Sequence, residues 1–587
     1  MTDWVHPGLL FVVGALPIPW LSGRLRQAWL ILVPVLAIAN MATLVPGDYG
    51  AFDFAGVALL VGKVDKLSLV FAWVFTIMAL IGTVYALHVR RPEQHVAAFL
   101  YVGSALGVVF AGDWFTLLVS WEIMAFASAY LIFAAAEAPA VRAAFRYLMV
   151  HVTGGVLLFG GIVLHGVATG SFLFGPLGEE GGLAYTLILV AFMLNAAVPP
   201  LNAWLTDAYP EATVTGAVFL SAFTTKTAVY VLIRAYPGAE ILVWLGSIMA
   251  IYGVVYAVLE NDTRRLLAYH IVSQVGYMVV GVGIGTEMAL NGSAAHAFAH
   301  IFYKGLLFMG AGAVIYMTGR RKLTELGGLY RTMPVTVFLY MIGAFAISAF
   351  PLFSGFVSKS MVIAAAAGDQ RAAVVLMLTV ASSGTFLHTG LKLPYYMFFG
   401  KDCGLRPAEP PLNMLIAMGL AAVLCIGIGI FPGVLYALLP YPVDFAPYTG
   451  AHITGSLGIL MFTLLGFVVF LKALDPEQTI SLDTDWFYRK GARLFMWFAE
   501  KPVARWEGAV SALSDTVVLR VLHASARGGL LVDLHVVDAI VNGVARTALA
   551  WGATVRRLQT GIVSHYAAAM IGGVLTGMAV YVVFWAG

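Results

Sequence analysis

Long apolar runs are the feature that most constrains the fold of this chain. About sixteen runs of roughly 17 to 28 residues, bounded by charged residues, glycine or proline, follow one another, and about 20 apolar residues let a helix cross a hydrocarbon core. Of the 587 residues, 61% are hydrophobic and only 11% are charged, unlike any soluble globular class. We therefore expect an all-α polytopic membrane protein with about sixteen transmembrane helices.

Two of the runs, residues 182–205 and 333–367, contain helix-breaking residues near their middle. The first carries Pro199 next to Pro200, and the second carries Pro351. Proline removes a backbone donor, and unwound backbone at membrane depth is tolerated only where it lines protein or a wet cavity. The breaks lie five runs apart, which predicts an inverted repeat of two five-helix units with an ion path near the midplane.

The loops between the runs alternate in charge. Those that follow odd-numbered runs carry basic residues, including Arg24, Arg26, Arg90, Arg91, Arg142, Arg146, Arg264, Arg265, Arg320, Arg321 and Lys322. The opposite loops are mainly acidic. Because cytoplasmic loops of membrane proteins are enriched in lysine and arginine, we expect the basic loops on the cytoplasmic side of an inner membrane and both chain ends on the outer side.

A polar stripe lies within the run 292–317. His296, His300 and Lys304 recur every four residues, so on a helix they line one face over roughly 12 Å. A charged residue facing lipid costs about 2.5–3.5 kcal/mol. We expect the stripe to face protein or water and to pass protons. The alternative is polar residues that only join helices.

Further ionisable residues lie inside apolar runs. They are Glu122, Lys226, Lys359 and, as a weaker candidate, Lys392. His151, His270 and His388 are weaker still, because a single histidine on an apolar face is more often a satisfied core residue. Static ion pairs would need matched acids, whereas the runs hold one acid against several bases, which favours proton transfer.

Other chemistries have little support in the sequence. The chain has two cysteines, too few for a four-thiolate iron–sulfur cluster. The His296/His300 spacing suits zinc but lacks an intervening glutamate and a third ligand. Lysine plus arginine (33) and aspartate plus glutamate (30) nearly cancel, which gives no sign of a nucleic-acid partner. We expect no cofactor and no metal on this chain.

Residues 476–560 differ from the preceding runs. They are rich in arginine and tryptophan, with apolar residues at helical spacing. A basic amphipathic helix of this kind lies along a membrane interface rather than across it. We expect a lateral segment on the cytoplasmic side, followed by one last span at 562–585. A short helical hairpin touching only lipid is the alternative.

Taken in order, these motifs resemble the antiporter-like family that complex I, membrane-bound hydrogenases and Mrp-type sodium/proton antiporters share among their membrane subunits. The resemblance covers roughly residues 60–400. It rests on Trp121-Glu122, the run from Pro200 to Asp207, Tyr209–Gly216, Lys226, the run from Thr263 to Tyr277, the His296/His300/Lys304 stripe, and Ser354–Lys359.

The resemblance implies a role for each matched residue. Glu122 would gate proton entry, Lys226 and the stripe would carry the central relay, and Lys359 would lie on the exit side. Asn195 departs from the family, which usually has a lysine there, and asparagine cannot titrate. The tail looks like that of the largest antiporter-like protein of complex I, whereas the core is most similar to the D-type component of Mrp antiporters.

The sequence thus predicts six regions. They are N-terminal helices at 1–90, a first antiporter half at 91–235, a second half at 236–400, two spans at 401–475, the lateral segment at 476–560 and a final anchor at 561–587. We expect a proton-translocating subunit of a multisubunit membrane complex, bound to other membrane subunits, with Mrp-type cation/proton antiport. The alternatives are a proton-pumping component of a redox-driven complex I-like or hydrogenase complex, and a non-pumping scaffold.

Overall fold

The apolar runs fold as helices in the computed structural model, which describes residues 4–54, 56–178, 182–477 and 483–585. The chain divides into two units, Met1–Trp486 and Phe487–Gly587. Fourteen helices of the described residues are long and apolar enough to cross a membrane. An all-α multi-pass membrane fold is therefore confirmed.

The first unit begins with three helices. A β-hairpin that the sequence did not predict lies between the second and the third. The helices are α1 (Pro7–Ala15), α2 (Gly23–Thr43) and α3 (Lys66–Ala86), and strands β1 (Gly47–Phe54) and β2 (Val57–Val64) pair antiparallel between α2 and α3. The buried Asp113 carboxylate accepts the backbone N–H of Leu60 at 3.0 Å and of Thr116 at 2.7 Å. This carboxylate caps the following helix and attaches the hairpin to it.

The next helices form the first predicted half. They are α4 (Pro92–Phe110), α5 (Trp114–Phe133), α6 (Ala138–Thr169), α7 (Leu183–Asn195), α8 (Ala203–Ala208), α9 (Val214–Ala222) and α10 (Thr224–Ala235).

The remaining helices of the first unit follow without further strands among the described residues. They are α11 (Glu240–Leu259), α12 (Thr263–Ile284), α13 (Glu287–Thr318), α14 (Pro334–Ile347), α15 (Ser354–Gly368), α16 (Ala372–Thr385), α17 (Leu412–Ile430), α18 (Pro432–Tyr436) and α19 (Gly450–Val469). Helix α16 continues through two π-helical segments, Phe386–Lys392 and Tyr395–Phe399.

Both predicted breaks are present, and a third accompanies them. The run 182–205 separates into α7 and α8, and the run 333–367 separates into α14 and α15. The third break lies at Phe223, between α9 and α10. No proline or glycine marks this third break, so no local pattern in the sequence predicted it.

The helices that carry Lys226, His270 and the stripe are the most enclosed of the candidate spans among the described residues. The apolar windows of Val214–Ala235 and Thr263–Ile284 are 100% buried, and that of Glu287–Thr318 is 94% buried. Protein therefore surrounds these helices in place of lipid, as their polar residues require.

The second unit consists of long exposed helices. After α20 (Asp485–Phe498), which starts in the first unit, come α21 (Ala504–Leu513), α22 (Leu519–Val532), α23 (Asp538–Leu558) and α24 (Val563–Trp585). Short π-helical turns join α20 to α23 into one helical stretch, of which Lys490–Leu558 spans 69 residues. At 1.5 Å per residue this stretch is about 100 Å long, far longer than a hydrocarbon core of about 30 Å. A single long helix replaces the short hairpin considered as an alternative.

Candidate functional site

Helix α13 holds the predicted stripe in the protein interior. His296, His300 and Lys304 are all 0% exposed, and the rings of the two histidines lie 6.2 Å apart. Neither ring nitrogen of His300 has a hydrogen-bond partner among the described residues, and nor does Nζ of Lys304. An unsatisfied buried polar atom costs about 1–3 kcal/mol. These atoms therefore favour a hydrated row, since bound water satisfies such groups.

Lys226 lies just beyond the break at Phe223. Its Nζ donates to the carbonyl oxygen of Ser221 at 2.6 Å and to the hydroxyl of Thr225 at 3.1 Å, and the residue is 0% exposed. The break leaves the carbonyl of Ser221 available to the lysine in place of a helix donor. The unwound turn thus holds the buried amine of Lys226, with no carboxylate in an ion pair with it among the described residues.

The buried lysines are close enough to influence one another. Lys226 interacts electrostatically with both His300 and Lys304. Among the described residues, none of the ion pairs includes Lys226, Lys304 or Lys359. Like charges that act on one another in a poorly screened protein interior repel strongly.

Lys359 lies at the second predicted break. It is 1% exposed, and its Nζ donates to the carbonyl of Ile347, the last residue of α14, at 2.9 Å. The same Nζ lies 5.2 Å from the ring centroid of Tyr277. Lys359, Ser382 and His452 also line a cavity of about 540 Å³. Lys359 therefore borders an open cavity whose lining is mainly apolar with a few polar side chains.

Hydrogen bonds connect the stripe to the neighbouring helices. His296 Nδ1 lies 3.1 Å from the hydroxyl of Ser358, the residue before Lys359. On the other side of the ring, the hydroxyl of Tyr303 lies 3.3 Å from His296 Nε2 and donates to Gln274 Oε1 at 3.3 Å. Sequence reasoning did not single out Ser358, Tyr303 or Gln274, whose side chains join α13 to α15 and α12.

Lys392 is held apart from the stripe. It is 3% exposed, lies at the end of the first π-helical segment and donates to the carbonyl of Val258 at 2.6 Å. His388, one turn earlier, is 1% exposed and lies 6.5 Å from the ring of His270. These weaker candidates form a separate polar group between α12 and the π-helical segment.

Glu122 lies towards the outside of the first half. Its side chain is half-buried on α5 and packs on Gly155 of α6, where an added Cβ would collide with the carboxylate. Glu122 and Glu93 are the acids in the lining of an apolar groove of about 840 Å³. The structure thus places Glu122 at the boundary of the protein and not in the central row.

Asn195 ends α7 directly before the first break. It is 0% exposed, and neither polar atom of its side chain has a partner among the described residues. Trp204 donates across the break to the carbonyl of Leu194 at 2.9 Å. His151 stacks on Tyr147 with a centroid distance of 4.0 Å and bonds its carbonyl through Nδ1, while its Nε2 has no partner among the described residues. His151 is thus held in place by Tyr147 on one side only.

Two arginines of the first half are held in ion pairs. Arg146 binds Asp207 through two hydrogen bonds of 2.6 and 2.8 Å, and Arg234 binds Asp65 through two of 2.8 Å. Two parallel bonds between a guanidinium and a carboxylate fix geometry as well as charge. These residues therefore suit a structural role.

Asp483 is a buried carboxylate that the sequence did not predict. Asp483 is 7% exposed and accepts hydrogen bonds from the hydroxyls of Tyr252 and Tyr269, the latter at 2.5 Å, and from Thr206 at 3.5 Å. No local pattern pointed to it, because its partners are more than 200 residues away in the chain.

Comparison with known proteins agrees with this geometry. Residues 111–386 match the family model described as NADH:quinone oxidoreductase/Mrp antiporter, TM. The chain is 31% identical over 395 residues to the A/B component of a probable K(+)/H(+) antiporter of Rhizobium meliloti, covering 62% of this chain and 40% of the relative. It is 27% identical to the D component of a Na(+)/H(+) antiporter of Alkalihalophilus pseudofirmus, covering 62% of this chain and 81% of that protein.

The fold has a solved counterpart along almost its whole length. A chain of the structure "Structure of the membrane-bound sulfane sulfur reductase (MBS), an archaeal respiratory membrane complex" aligns with 98% of this chain and 99% of its own, with a TM-score of 0.70 and 21% identity. At that identity the likeness concerns the fold alone.

The fold and its buried polar row define a class, the multi-pass membrane subunits with broken helices. Within this class, the chain belongs over its core, residues 111–386, to the antiporter-like family of complex I, hydrogenases and Mrp antiporters. The resemblance drawn from the motifs is confirmed. The chain spans less than half the length of the Rhizobium relative, at 40%.

Proposed function

We propose that this chain is a proton-translocating subunit of a multisubunit membrane complex. The observation that carries the proposal is the set of three buried lysines, Lys226, Lys304 and Lys359, without an ion-pair partner among the described residues. Unpaired charge at membrane depth is costly and marks ion pathways. A merely structural role would be served better by paired or apolar side chains.

In the proposed path, protons move along the row Lys226, Lys304, His300, His296 and Lys359. Histidine can accept a proton on one ring nitrogen and release one from the other, and lysine can hold a proton between transfers. Water bound to the unpartnered nitrogens would bridge the gaps. The cavity beside Lys359 supports its assignment to the exit side.

Mrp-type cation/proton antiport is the form of transport we favour. The names of the K(+)/H(+) and Na(+)/H(+) antiporter relatives support it. The second candidate is a proton-pumping component of a redox-driven complex. It is favoured by the alignment of 98% of the chain, tail included, with a chain of a respiratory membrane complex. In either case the partners are other membrane subunits.

We also propose a membrane and an orientation for the chain. We place it in the inner membrane, with the basic loops and the lateral helix on the cytoplasmic side and both chain ends outside. Residues 91–235 and 236–400 would form the two halves of the inverted repeat, each with one of the breaks at Asn195 and Lys359. Helix α24 would serve as the final anchor.

Alanine substitution of the row separates transport from a scaffold role. We expect Lys226→Ala and Lys359→Ala each to abolish proton flux in vesicles that contain the assembled complex, measured with a pH-sensitive dye after addition of sodium or of the electron donor. Co-purification of the other subunits should be unchanged. Lys66→Ala, at an exposed position at the start of α3, is the matched control and should transport normally. Normal flux with lost assembly in the two row variants would establish the scaffold role instead.

A further inference from the structure

Two buried histidines outside the stripe face each other between α12 and the π-helical segment Phe386–Lys392. The ring centroids of His270 and His388 are 6.5 Å apart, and the residues are 0% and 1% exposed. Both ring nitrogens of His270 and Nδ1 of His388 lack a hydrogen-bond partner among the described residues. Since unsatisfied buried polar atoms are costly, this pair favours bridging water.

A chain of hydrogen bonds connects the same two helices to the central stripe. Tyr303 links His296 of the stripe to Gln274 of α12, and Gln274 Nε2 donates to the hydroxyl of Thr385 at 3.3 Å. Gln274 lies one turn after His270, and Thr385 lies one turn before His388. The pairs Gln274–Thr385 and His270–His388 therefore form successive polar contacts between the same helices.

The polar contacts continue from His388 to Lys392, one turn further along. Lys392 Nζ donates to the carbonyl of Val258, near the end of α11, and interacts electrostatically with the buried Glu260 and with Asp475. One more turn along, Tyr396 lines a surface cavity of about 360 Å³ together with Asp475. The π-helical turns that carry these residues are a geometry often found at functional sites.

We propose that His270, His388 and Lys392 form a second branch of the proton path, leading from the central stripe to the surface cavity beside Tyr396 and Asp475. The inference rests on the proposed function, because a branch matters only if the stripe carries protons. At each histidine, one ring nitrogen takes a proton from a protonated water molecule while the opposite nitrogen releases one to the next water molecule, so charge is conserved and no electrons are exchanged. The charged groups of the central row that act on His270 are Lys304 and Lys359.

The proposed branch provides a proton route that does not depend on a titratable residue at the first break. Asn195, at the first break, cannot carry a proton, so proton uptake through that half is weakened. The cavity at the end of the branch lies beside Lys401 and Lys472, next to one of the basic loops. The stripe would therefore exchange protons with that side of the membrane without passing Asn195.

Cysteine accessibility tests the branch without measuring transport. In the assembled complex, with Cys403 and Cys425 replaced by serine, Lys392→Cys and His388→Cys are exposed to silver ions, which are nearly as small as water. We expect each to react at least about tenfold faster than Leu393→Cys, the adjacent control, which is 0% exposed and packed in the apolar core. Equal, slow reaction of all three would mean a dry group and would overturn the proposal.

Transport assays then separate the branch from the central row. We expect His388→Leu and His388→Gln to slow proton flux by about tenfold or more, since glutamine keeps hydrogen bonds but cannot titrate. Full flux in His388→Gln would show that His388 is only a structural polar group and would refute the branch. Loss of flux in Lys226→Ala would in that case still support the proposed function. Normal flux in Lys226→Ala would refute the proposed function, regardless of how fast the cysteine variants react with silver ions.

Discussion

Ionisable side chains have opposite surroundings in two regions of the molecule. The first region comprises α5 to α8, and the second is the row on α10, α13 and α15. In the first region, Arg146 is fixed on Asp207, Glu122 lies at the protein boundary and the break carries the neutral Asn195. In the second, Lys226, Lys304 and their neighbours are fully buried and unpaired by any carboxylate among the described residues.

The difference teaches where charge can change and where it is fixed. A bidentate ion pair holds both partners charged, because removing one proton or one partner leaves an uncompensated charge. An unpaired buried lysine can exist with or without its proton, depending on its neighbours. We therefore propose that proton transfer takes place in the central row and that the first region supports it structurally.

The largest expected effect separates the two regions directly. Lys304→Leu removes a titratable group from the middle of the row, and we expect proton flux to fall by about a hundredfold or more. Asn195→Leu removes no titratable group, and its flux should stay within about twofold of the unmodified complex. Both are measured as dye response in vesicles, normalised to the amount of assembled complex. Equal losses in the two variants would remove the distinction between the regions.

A smaller effect is expected at the boundary of the first region. Glu122→Gln keeps the size of a half-buried side chain but removes its charge. Because Glu122 lies outside the central row, we expect flux to fall by less than about fivefold. Initial rates across a series of external pH values provide the measurement. A complete loss comparable to that of Lys304→Leu would place Glu122 within the relay itself.

The smallest effect concerns an ion pair and appears as stability. Burial raises the pKa of Asp65, but the hydrogen bonds and charge of Arg234 outweigh it, so the pKa of this carboxyl lies below its usual range. The stabilisation is thus present at neutral pH and is lost as pH falls through the lowered pKa. Because the variant leaves the buried Arg234 guanidinium without its carboxylate, while Asp65 itself is partly exposed, we expect Asp65→Asn to cost about 1.5–3 kcal/mol at pH 7.

Thermal unfolding of the detergent-solubilised complex at several pH values measures this difference. The gap between Asp65→Asn and the unmodified complex should shrink below about pH 4, where the carboxyl takes up its proton. Proton flux at neutral pH should be retained. A gap that widens on acidification would contradict the assignment of Asp65 to a fixed ion pair.

Much of the fold was accessible from the sequence because the bilayer imposes a simple length rule. Apolar runs of sufficient length became helices, and Pro199 and Pro351 marked two of the breaks. The break at Phe223 was not predicted, since it depends on contacts with the surrounding helices. The hairpin Gly47–Val64 was not predicted either, because its attachment to Asp113 joins parts of the chain about 50 residues apart.

The stripe was predictable because its four-residue spacing is a local pattern. Its links to other helices were not, since Ser358, Gln274 and Asp483 are ordinary residues until the fold brings their partners close. The outward position of Glu122 was equally hidden, because a sequence shows that a residue lies within a helix but not which face meets the core. The family resemblance supplied roles for residues, not their surroundings.

The most direct measurement is a density map of the assembled complex at a resolution that shows water. The central claim is that buried, unpaired side chains form one hydrated row. We expect ordered water within hydrogen-bond distance of Lys304 Nζ and of both ring nitrogens of His300, continuous with water near Lys226 and Lys359. Apolar side chains packed against these nitrogens, with no water between the groups, would contradict the account.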